Sequence, residues 1–309
     1  MGVQRISAYA SVYLLWGGAY LAVRILVQEF PPFLVAGLRY WLAATCLLPV
    51  LLVRRFAAPS RRQMMNAAWT GVLLLAAGYG LVFWAEQQVP SWLAAILVST
   101  SFLWTCAGEC FLLRTSRFRM TLLVPLLAGL VGLPLLVDSG GTRAAFSLVA
   151  SLAVLLSAIC WAAGSLAMKR LELPRSPVQT ACIQFASSGL VLLSISASFG
   201  EWRHAPPLAA FFAVRPLTAM IYLVAGASVA GYLAFLWLIV HDSVSLVTTF
   251  TYVNPIVAML LGILAARERF SPTQLAGAFA VLACVFAFWR LYRPALELAP
   301  MELREMPEP

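Results

Sequence analysis

Charged residues are scarce in this sequence of 309 residues. Only 11% of the residues are Asp, Glu, Lys or Arg, whereas 62% are hydrophobic. Soluble globular domains usually carry about 25% charged residues. Because a soluble core of this length could not bury so much apolar sequence, the composition predicts an all-α integral membrane protein.

Histidine and the common catalytic motifs are also nearly absent. The chain has two histidines, His204 and His241, and it contains neither an H-E-x-x-H nor a G-x-S-x-G sequence. Its single lysine, Lys169, follows Met168, so no G-x-x-x-x-G-K-[ST] phosphate loop is present. These absences exclude ATP hydrolysis by this chain and disfavour metal or serine hydrolysis. We therefore expect no cofactor and no metal site.

The net charge of +9 has a simple interpretation in a membrane protein. In a soluble protein it would suggest nucleic acid as a partner. Here the basic residues lie between apolar runs, where Lys and Arg set the orientation relative to an anionic inner leaflet. The expected partner is therefore the lipid bilayer, and no nucleic-acid partner is expected.

Ten segments come close to the requirement for a spanning helix, which is about 20 predominantly apolar residues. Most Pro and Gly clusters fall between them. The predicted helices are Ile6–Val27, Phe33–Val53, Met65–Ala85, Trp92–Leu113, Leu122–Val137, Phe146–Met168, Val178–Phe199, Leu217–Val240, Val244–Ala266 and Thr273–Trp289. The fifth and tenth are the shortest. Residues 294–309 are predicted to form a disordered cytoplasmic tail.

Basic residues are distributed unequally between the two sides of these helices. With the N-terminus inside, fourteen basic residues face the cytoplasm, and Arg24 and Arg39 lie within spans. The outer set is Arg143, Arg203, Arg215, Arg267 and Arg269. Because cytoplasmic loops carry the excess of Lys and Arg, both termini are predicted to be cytoplasmic.

The sequence contains an internal repeat. The run Trp16–Arg24 nearly repeats at Trp161–Arg170, an offset of 145 residues (161 − 16). An offset of 153 (232 − 79) carries the pair Gly78-Tyr79 onto Gly231-Tyr232. Internal repeats of this kind indicate a duplicated structural unit.

Five crossings in each unit would place the second copy upside down in the membrane. We therefore predict ten transmembrane helices in two inverted five-helix repeats, residues 1–141 and residues 142–293, followed by the tail at 294–309. Secondary transporters with this design bind substrate between the two halves.

Ionisable residues in or beside the spans are functional candidates, because burying a charge in a membrane is costly. Arg24 and Arg39 lie near the outer ends of the first two helices, where they could form a vestibule that attracts a carboxylate. They could instead snorkel or pair with a glutamate. Glu86, at the end of the third helix, could carry a proton or bind an amine, or it could be an interfacial residue.

Aromatic residues well inside the spans form a second group of candidates. Interfacial Trp and Tyr normally form belts at the headgroups, so those in mid-span line a cavity or fill a core. Inversion should bring the repeated pairs Trp16 with Trp161 and Tyr79 with Tyr232 towards one central axis. The predicted substrate-binding residues are Trp16, Tyr20, Tyr79, Phe83, Trp161, Tyr232, Tyr252 and Asn254.

The pair Asn254-Pro255 lies within the predicted ninth helix. A proline at mid-membrane could break the helix and offer polar backbone groups to a ligand. Alternatively, it could kink the helix while polar neighbours satisfy the freed backbone group.

Taken in order, several short motifs resemble the EamA-like transporters of the drug/metabolite transporter superfamily, over residues 1–295. The Tyr-Val-Asn-Pro run is similar to the metabolite-exporter branch of that family. The matching pieces are Trp16-Gly17, Arg39-Tyr40, Glu86-Gln87, Cys160-Trp161-Ala162, Gly231-Tyr232 and Tyr252-Val253-Asn254-Pro255.

The resemblance implies ten helices in two inverted repeats and a central cavity lined by the first, third, fourth, sixth, eighth and ninth helices. It also implies export of small metabolites, amino acids or drugs from the bacterial cytoplasm across the inner membrane. The sequence departs from the family at Phe102, where the usual proline is missing, whereas the second repeat keeps Pro255. This departure argues against a mechanism that needs a symmetric pair of helix breaks.

We expect a secondary transporter, not an enzyme, that moves a small amphipathic or zwitterionic metabolite by alternating access, coupled to protons or to no ion. The alternative is an integral-membrane enzyme acting on lipids. Such an enzyme would need histidines and acids clustered at one interface, whereas His204 and His241 fall on opposite predicted sides.

Overall fold

The computed structural model describes residues 2–54, 56–89, 91–114, 124, 127–128, 131, 147–266 and 272–297. All regular structure within these residues is helical. The predicted fifth helix falls almost entirely outside them. The repeat boundary at 141 and 142, Arg143, Arg267, Arg269 and the chain after 297 also lie outside the described residues.

Long apolar helices make up most of the described chain, and seven of them, α1 to α7, are long and apolar enough to cross a membrane. Two short helical turns, Glu201–Arg203 and Leu208–Phe211, lie between α6 and α7. The helices are α1 (Val3–Glu29), α2 (Pro32–Arg54), α3 (Arg61–Ala85), α4 (Ser91–Ser99, Ser101–Ala107 and Gly108–Leu113), α5 (Leu148–Met168), α6 (Pro177–Ser198), α7 (Val214–His241), α8 (Val244–Thr248 and Phe250–Ala266) and α9 (Pro272–Glu297).

The observed helix ends lie within a few residues of the predicted ones, with one exception. The last helix, α9, was expected to end at Trp289 but continues to Glu297. The extension contains Leu291, Ala295 and Glu297, which favour helix, and continues past Pro294, which does not. Helix α9 therefore extends eight residues beyond its predicted end.

Local sequence explains where several helices begin. Before α3, the Ser60 hydroxyl accepts from the Gln63 backbone N–H at 3.1 Å, and the Gln63 side chain accepts from the Ser60 backbone N–H at 2.9 Å. This reciprocal capping satisfies two otherwise unpaired donors. The Ser147 hydroxyl caps α5 by accepting from the Ala150 backbone N–H at 3.3 Å.

Both α3 and α7 contain a wide π-helical segment, Val72–Tyr79 in α3 and Tyr222–Gly231 in α7. The two segments occupy matching places in the repeat, because the offset of 153 carries Tyr79 onto Tyr232. Nothing in the hydropathy of the sequence indicates them. Single π turns inside α-helices occur frequently at functional sites.

Side-chain contacts identify the loops that share the first end of the molecule. The Asn66 amide donates to the Glu172 carbonyl at 3.0 Å, which joins the start of α3 to the loop after α5. Arg5 lies 3.6 Å from the Asp242 carboxylate, which joins the start of α1 to the end of α7. Arg170, after α5, donates to the Leu112 carbonyl of α4, and Glu109 of α4 accepts from the Val244 backbone N–H, two residues after Asp242. The start of α1 and the end of α5 therefore lie at the same end.

The second end of the molecule gathers the opposite set of loops. The Glu201 carboxylate accepts from the Leu34 backbone N–H at 2.8 Å, at the start of α2. Phe30 packs on Phe211 with ring centroids 3.9 Å apart, which joins the end of α1 to the segment before α7. It follows that α1 runs from the first end to the second, whereas α5 runs in the reverse direction.

Among the described helices, α2 and α6 pack against each other over an extensive contact. Glycine makes this approach possible, because a Cβ atom added at Gly189 would lie 2.4 Å from the Trp41 ring. A Cβ atom added at Gly37 would similarly lie 2.7 Å from Leu193. These helices are the predicted second and seventh, which occupy equivalent places in the two repeats.

Candidate functional site

Four of the predicted binding residues meet at the centre of the helix assembly. Trp16 from α1 and Trp161 from α5 pack edge to face with ring centroids 5.4 Å apart. Tyr79 contacts Trp161 at 5.3 Å, and Tyr232 lies 6.5 Å from Trp16. Each favourable aromatic pair contributes roughly 0.5–1.5 kcal/mol beyond area burial. We call these four residues the central cluster.

The central cluster is surrounded by further aromatic residues, which the sequence analysis did not identify as binding residues. Phe235 and Phe250 lie 5.3 Å and 4.6 Å from Trp16 between ring centroids. Tyr40 stacks on Phe185 at 5.8 Å, across the contact between α2 and α6. The repeat offset of 145 (185 − 40) carries one of these stacked residues onto the other, so the repeat itself could have identified this pair.

Two small cavities flank the central cluster, and Tyr79 lines both. The first cavity has a volume of about 10 Å³ and the second about 20 Å³, so each has room for about one water molecule. The centre is therefore closed in this conformation. The first is lined by Trp16, Arg39, Tyr40, Leu75, Tyr79, Phe185, Ala227, Ser228 and Tyr232. The second is lined by Gly78, Tyr79, Val82, Val98, Ser157, Ala158, Trp161 and Phe250.

The two tryptophans of the central cluster differ in hydrogen bonding. Trp16 Nε1 donates to the Ala227 carbonyl at 2.8 Å, within the π segment of α7. Trp161 Nε1 has no hydrogen-bond partner among the described residues, although it is buried. An unpaired buried donor is costly, so Trp161 presents an unused donor at the second cavity.

Arg39 lies at the first cavity, with only 3% of its surface exposed. Its Nε donates to the Ser228 hydroxyl at 2.9 Å. The guanidinium carbon lies 5.1, 5.6 and 5.9 Å from the ring centroids of Tyr40, Tyr79 and Phe83. Arg39 therefore faces the interior of the helix assembly rather than the outer vestibule proposed from the sequence.

Gln184 occupies the repeat position of Arg39 and is also fully buried. Its amide nitrogen donates to the Thr70 hydroxyl at 2.9 Å, and its amide oxygen accepts from the Tyr232 hydroxyl at 2.9 Å. These bonds link α6 to both α3 and α7. One polar residue from each repeat thus lies beside the central cluster.

Arg24 and Glu86 meet near the second end of the molecule. Arg24 Nη1 donates to the backbone carbonyls of Glu86 at 2.5 Å and Val89 at 3.3 Å. The Glu86 side chain is fully buried, and neither carboxylate oxygen has a partner among the described residues. Glu86 lies one residue beyond α3, and burial raises the pKa of its carboxyl group well above the usual range, although the charge of Arg24 lowers it. Tyr20 of α1 is also buried.

Tyr252 and Asn254 do not line either cavity. Tyr252 packs edge to face on Phe102, with ring centroids 4.9 Å apart, in a separate apolar group between α4, α8 and α9. With its amide oriented to satisfy hydrogen bonding, Asn254 donates to the carbonyls of Phe250 at 3.0 Å and Tyr13 at 3.3 Å. Asn254 therefore ties α8 to α1.

Sequence comparison places this architecture in a family. The model of the EamA-like transporter family matches residues 6–137 and again residues 148–290. This chain belongs to the EamA-like transporter family. The two matches divide the chain much as the internal repeat does.

Individual relatives of this EamA-like transporter carry transporter names. The chain is 37% identical over 258 residues to the uncharacterized inner membrane transporter YedA of Escherichia coli (strain K12), which covers 82% of this chain and 80% of the relative. It is 20% identical over 279 residues to a probable amino-acid metabolite efflux pump of Salmonella typhimurium (strain LT2), covering 89% and 91% of the two chains. The chain is thus a multi-pass inner-membrane transporter.

A solved crystal structure shares the fold of this EamA-like transporter. The TM-score is 0.74 at 17% identity, and the match covers 94% of this chain and 98% of the other. At this identity the likeness supports the fold alone.

The family proline in α8 does not break the helix in this EamA-like transporter. Helix Phe250–Ala266 continues through Pro255, which cannot donate to the Thr251 carbonyl. The Ser99 hydroxyl of α4 donates to that carbonyl at 2.6 Å instead. The backbone group that Pro255 leaves free therefore has a donor on a neighbouring helix.

Interruptions occur nearby in both α4 and α8 of this EamA-like transporter. In α8, the first piece ends at Thr248, and Thr249 separates it from the next. In α4, Thr100 separates Ser91–Ser99 from Ser101–Ala107 although this helix lacks the proline. Each interruption is therefore a single turn residue, and both residues keep right-handed helical backbone angles.

A buried carboxylate of α4 caps the start of α8. Glu109 is 2% exposed, and one carboxylate oxygen accepts from the Val244 backbone N–H at 2.6 Å. The other accepts from the Ser245 hydroxyl at 2.5 Å. A negative charge at a helix N-terminus is stabilising, so Glu109 fixes α4 to α8 at the first end.

An open pocket with a volume of about 480 Å³ lies at the second end of this EamA-like transporter. None of the predicted site residues lines it. Its lining consists of Val27, Gln28, Glu29, Phe30, Pro31, Pro32, Phe33, Trp84, Gln87, Phe199, Glu201 and His204.

Proposed function

We propose that this EamA-like transporter exports a small amphipathic or zwitterionic metabolite from the bacterial cytoplasm by alternating access around the central cluster. The observation that carries this proposal is the contact between Trp16 and Trp161, which hold the same position in the two repeats. A relative named as an amino-acid metabolite efflux pump supports the direction and the substrate class.

Inverted symmetry accounts for these contacts. Residues close to a two-fold axis meet their own equivalents, as Trp16 meets Trp161 and Tyr40 meets Phe185. The opposite directions of α1 and α5 support the same arrangement. We therefore propose two inverted five-helix repeats, residues 1–141 and 142–293, with substrate bound between them.

The same arrangement supports a count of ten helices. The contact of Arg170 with the Leu112 carbonyl places the end of α4 at the first end. The start of α5 packs near Val89, at the second end. A fifth crossing over residues 122–137 would connect the two ends.

The closed centre explains why the two halves would have to move. Cavities of about 10 and 20 Å³ cannot hold a metabolite, so binding requires the helices around the central cluster to separate. The faces of Trp16 and Trp161 would then hold an apolar group, while Tyr79 and Tyr232 would orient a polar one. Tyr20, Phe83, Tyr252 and Asn254 would support these residues from neighbouring positions.

Transport by purified protein in liposomes tests the proposal. We expect uptake or efflux of at least one compound from a panel of amino acids and drugs, measured with and without a pH gradient. Trp161→Phe should slow that transport at least about tenfold, which corresponds to ~1.4 kcal/mol. Because Trp161 Nε1 has no described partner, this change leaves no protein group newly unpaired.

Trp69→Phe is the matched control, because Trp69 is 58% exposed on the outside of α3. Equal transport by the two variants would reject the central site. Absence of transport for every class of compound would reject the function.

The alternative of a lipid-acting membrane enzyme lacks a supporting observation in the described part of the chain. The described residues contain no group of three or more His, Cys, Asp or Glu that could hold a metal ion. His241 stacks on Trp237 and lies 2.7 Å from its carbonyl, while His204 lies at the second end.

A further inference from the structure

Arg39 is a buried positive charge for which the described residues provide no counterion. The ion pairs found among these residues are Arg5 with Asp242 and Arg62 with Glu172, and Arg39 takes part in neither. A guanidinium group does not lose its proton in a protein, so Arg39 stays charged. The aromatic rings around it attract a cation but do not neutralise it.

Two unpaired donors border the same cavity. Arg39 Nη1 and the Tyr40 hydroxyl have no hydrogen-bond partners among the described residues. Both residues line the first cavity together with Ser228 and Tyr232. Buried donors are normally satisfied, so this arrangement points to a ligand that accepts hydrogen bonds.

The unpaired carboxyl group of Glu86 does not complete this site. Glu86 also lacks a hydrogen-bond partner, but the charge that acts on it most strongly is that of Arg24, not Arg39. Arg24 in turn donates to backbone carbonyls. A ligand is therefore the remaining source of a negative charge that could pair with Arg39.

We propose that Arg39 is the anion-binding group of the central site and that the exported metabolite is an amphipathic organic carboxylate. This inference rests on the proposed function and specifies its substrate class. The planar guanidinium fork matches a carboxylate in two parallel hydrogen bonds, and the Tyr40 hydroxyl can add a third. The rings of Trp16, Tyr79 and Phe185 would enclose the apolar body of the same molecule.

Ligand-dependent thermal unfolding of the detergent-purified protein tests the inference without requiring transport. The probes are phenylacetate, its neutral analogue phenylacetamide, and chloride, at constant ionic strength. We expect phenylacetate to raise Tm saturably and phenylacetamide to leave it unchanged. Arg39→Gln should weaken the apparent affinity for phenylacetate at least about tenfold, because it removes charge-assisted hydrogen bonds.

Arg62→Gln is the matched control, because Arg62 is an exposed residue far from the cavity and should respond like the wild type. If Arg39→Gln does not fold, Tyr40→Phe provides the second test, and it should weaken phenylacetate binding while preserving the fold. If Arg39→Gln folds, an unchanged affinity for phenylacetate would overturn the proposal. If it does not fold, an unchanged affinity in Tyr40→Phe would overturn it.

The remaining outcomes are also decisive. Equal responses to phenylacetate and phenylacetamide, or no response in the wild type, would reject the anion site even if the liposomes show transport. A saturable response to chloride alone would assign the site to an inorganic anion and overturn the carboxylate assignment. Binding of phenylacetate without any transport would keep the anion site and reject the proposed function.

Discussion

Two arginines that look alike in the sequence have different surroundings in the structure. Arg24 donates to the carbonyls of Glu86 and Val89, and so ties α1 to the end of α3. Arg39 donates to one hydroxyl and keeps a donor unpaired beside the central cavity. The first arrangement suits a structural role, whereas the second leaves a charge available for a ligand.

Hydropathy could not have separated these two arginines. It places a residue along a helix to within a few residues, but it does not determine which neighbour a long side chain contacts. The repeat is more informative, because the offset of 145 pairs Arg39 with Gln184, and both lie beside the central cluster.

The buried carboxyl group of Glu86 provides a second prediction about a single residue. Burial raises the pKa of its carboxyl group well above the usual range, so the neutral form persists as the pH rises above that range. This group stabilises the folded state at low pH, and its contribution is lost as the pH rises through the raised pKa. Glu86→Gln cannot ionise, so its Tm should fall less than that of the wild type between about pH 6 and about pH 9.

Transport measurements extend this test to coupling. If Glu86 carries a proton, Glu86→Gln should abolish the pH dependence of transport while substrate binding stays measurable. Glu29→Gln is a suitable control, because Glu29 is exposed. A pH dependence of transport that is unchanged in Glu86→Gln would assign Glu86 a structural role.

At the scale of elements, α4 and α8 depend on each other. The Ser99 hydroxyl satisfies the carbonyl that Pro255 leaves free, and Glu109 caps the start of α8. The sequence indicated that Pro255 would disturb a helix but not where the freed carbonyl would find a donor. That donor is 152 residues away along the chain, and only the packing of the two helices brings it close.

Ser99→Ala should therefore destabilise the protein. It leaves the Thr251 carbonyl unsatisfied in an apolar interior, which costs roughly 1–2 kcal/mol and lowers Tm by a few degrees. Thermal unfolding in detergent measures the change. Ser194→Ala is the control, because the Ser194 hydroxyl is exposed and donates only within its own helix, to Leu190. Equal Tm values for the two variants would show that the freed carbonyl needs no partner.

At the scale of the whole molecule, sequence periodicity and hydropathy predicted most helix positions. The number of crossings and the inversion stay predictions, because the predicted fifth helix lies almost entirely outside the described residues. The closed centre was not predictable, because it depends on packing between helices rather than on the sequence of any one helix. The π segments were not predictable either, because hydropathy carries no sign of them.

The orientation of the molecule in the membrane provides the last prediction. Gln179 donates to the Ala57 carbonyl at 2.9 Å, and Asn66 donates to the Glu172 carbonyl, so positions 57 and 172 share the first end. Arg203 lies at the second end, in the turn that Glu201 begins. Because most Lys and Arg residues gather at the first end, that end should be cytoplasmic and both termini should lie inside.

Single-cysteine labelling of intact cells, in a variant without the native cysteines, measures this orientation. A membrane-impermeant maleimide should label Arg203→Cys directly, and should label Ala57→Cys and Glu172→Cys only after permeabilisation. All three positions are exposed, so access depends on the side of the membrane alone. Labelling of positions 57 and 172 from outside only would reverse the orientation. Labelling of positions 57 and 203 from the same side would contradict the inverted arrangement, because α1 and α5 could then not cross the membrane in opposite directions.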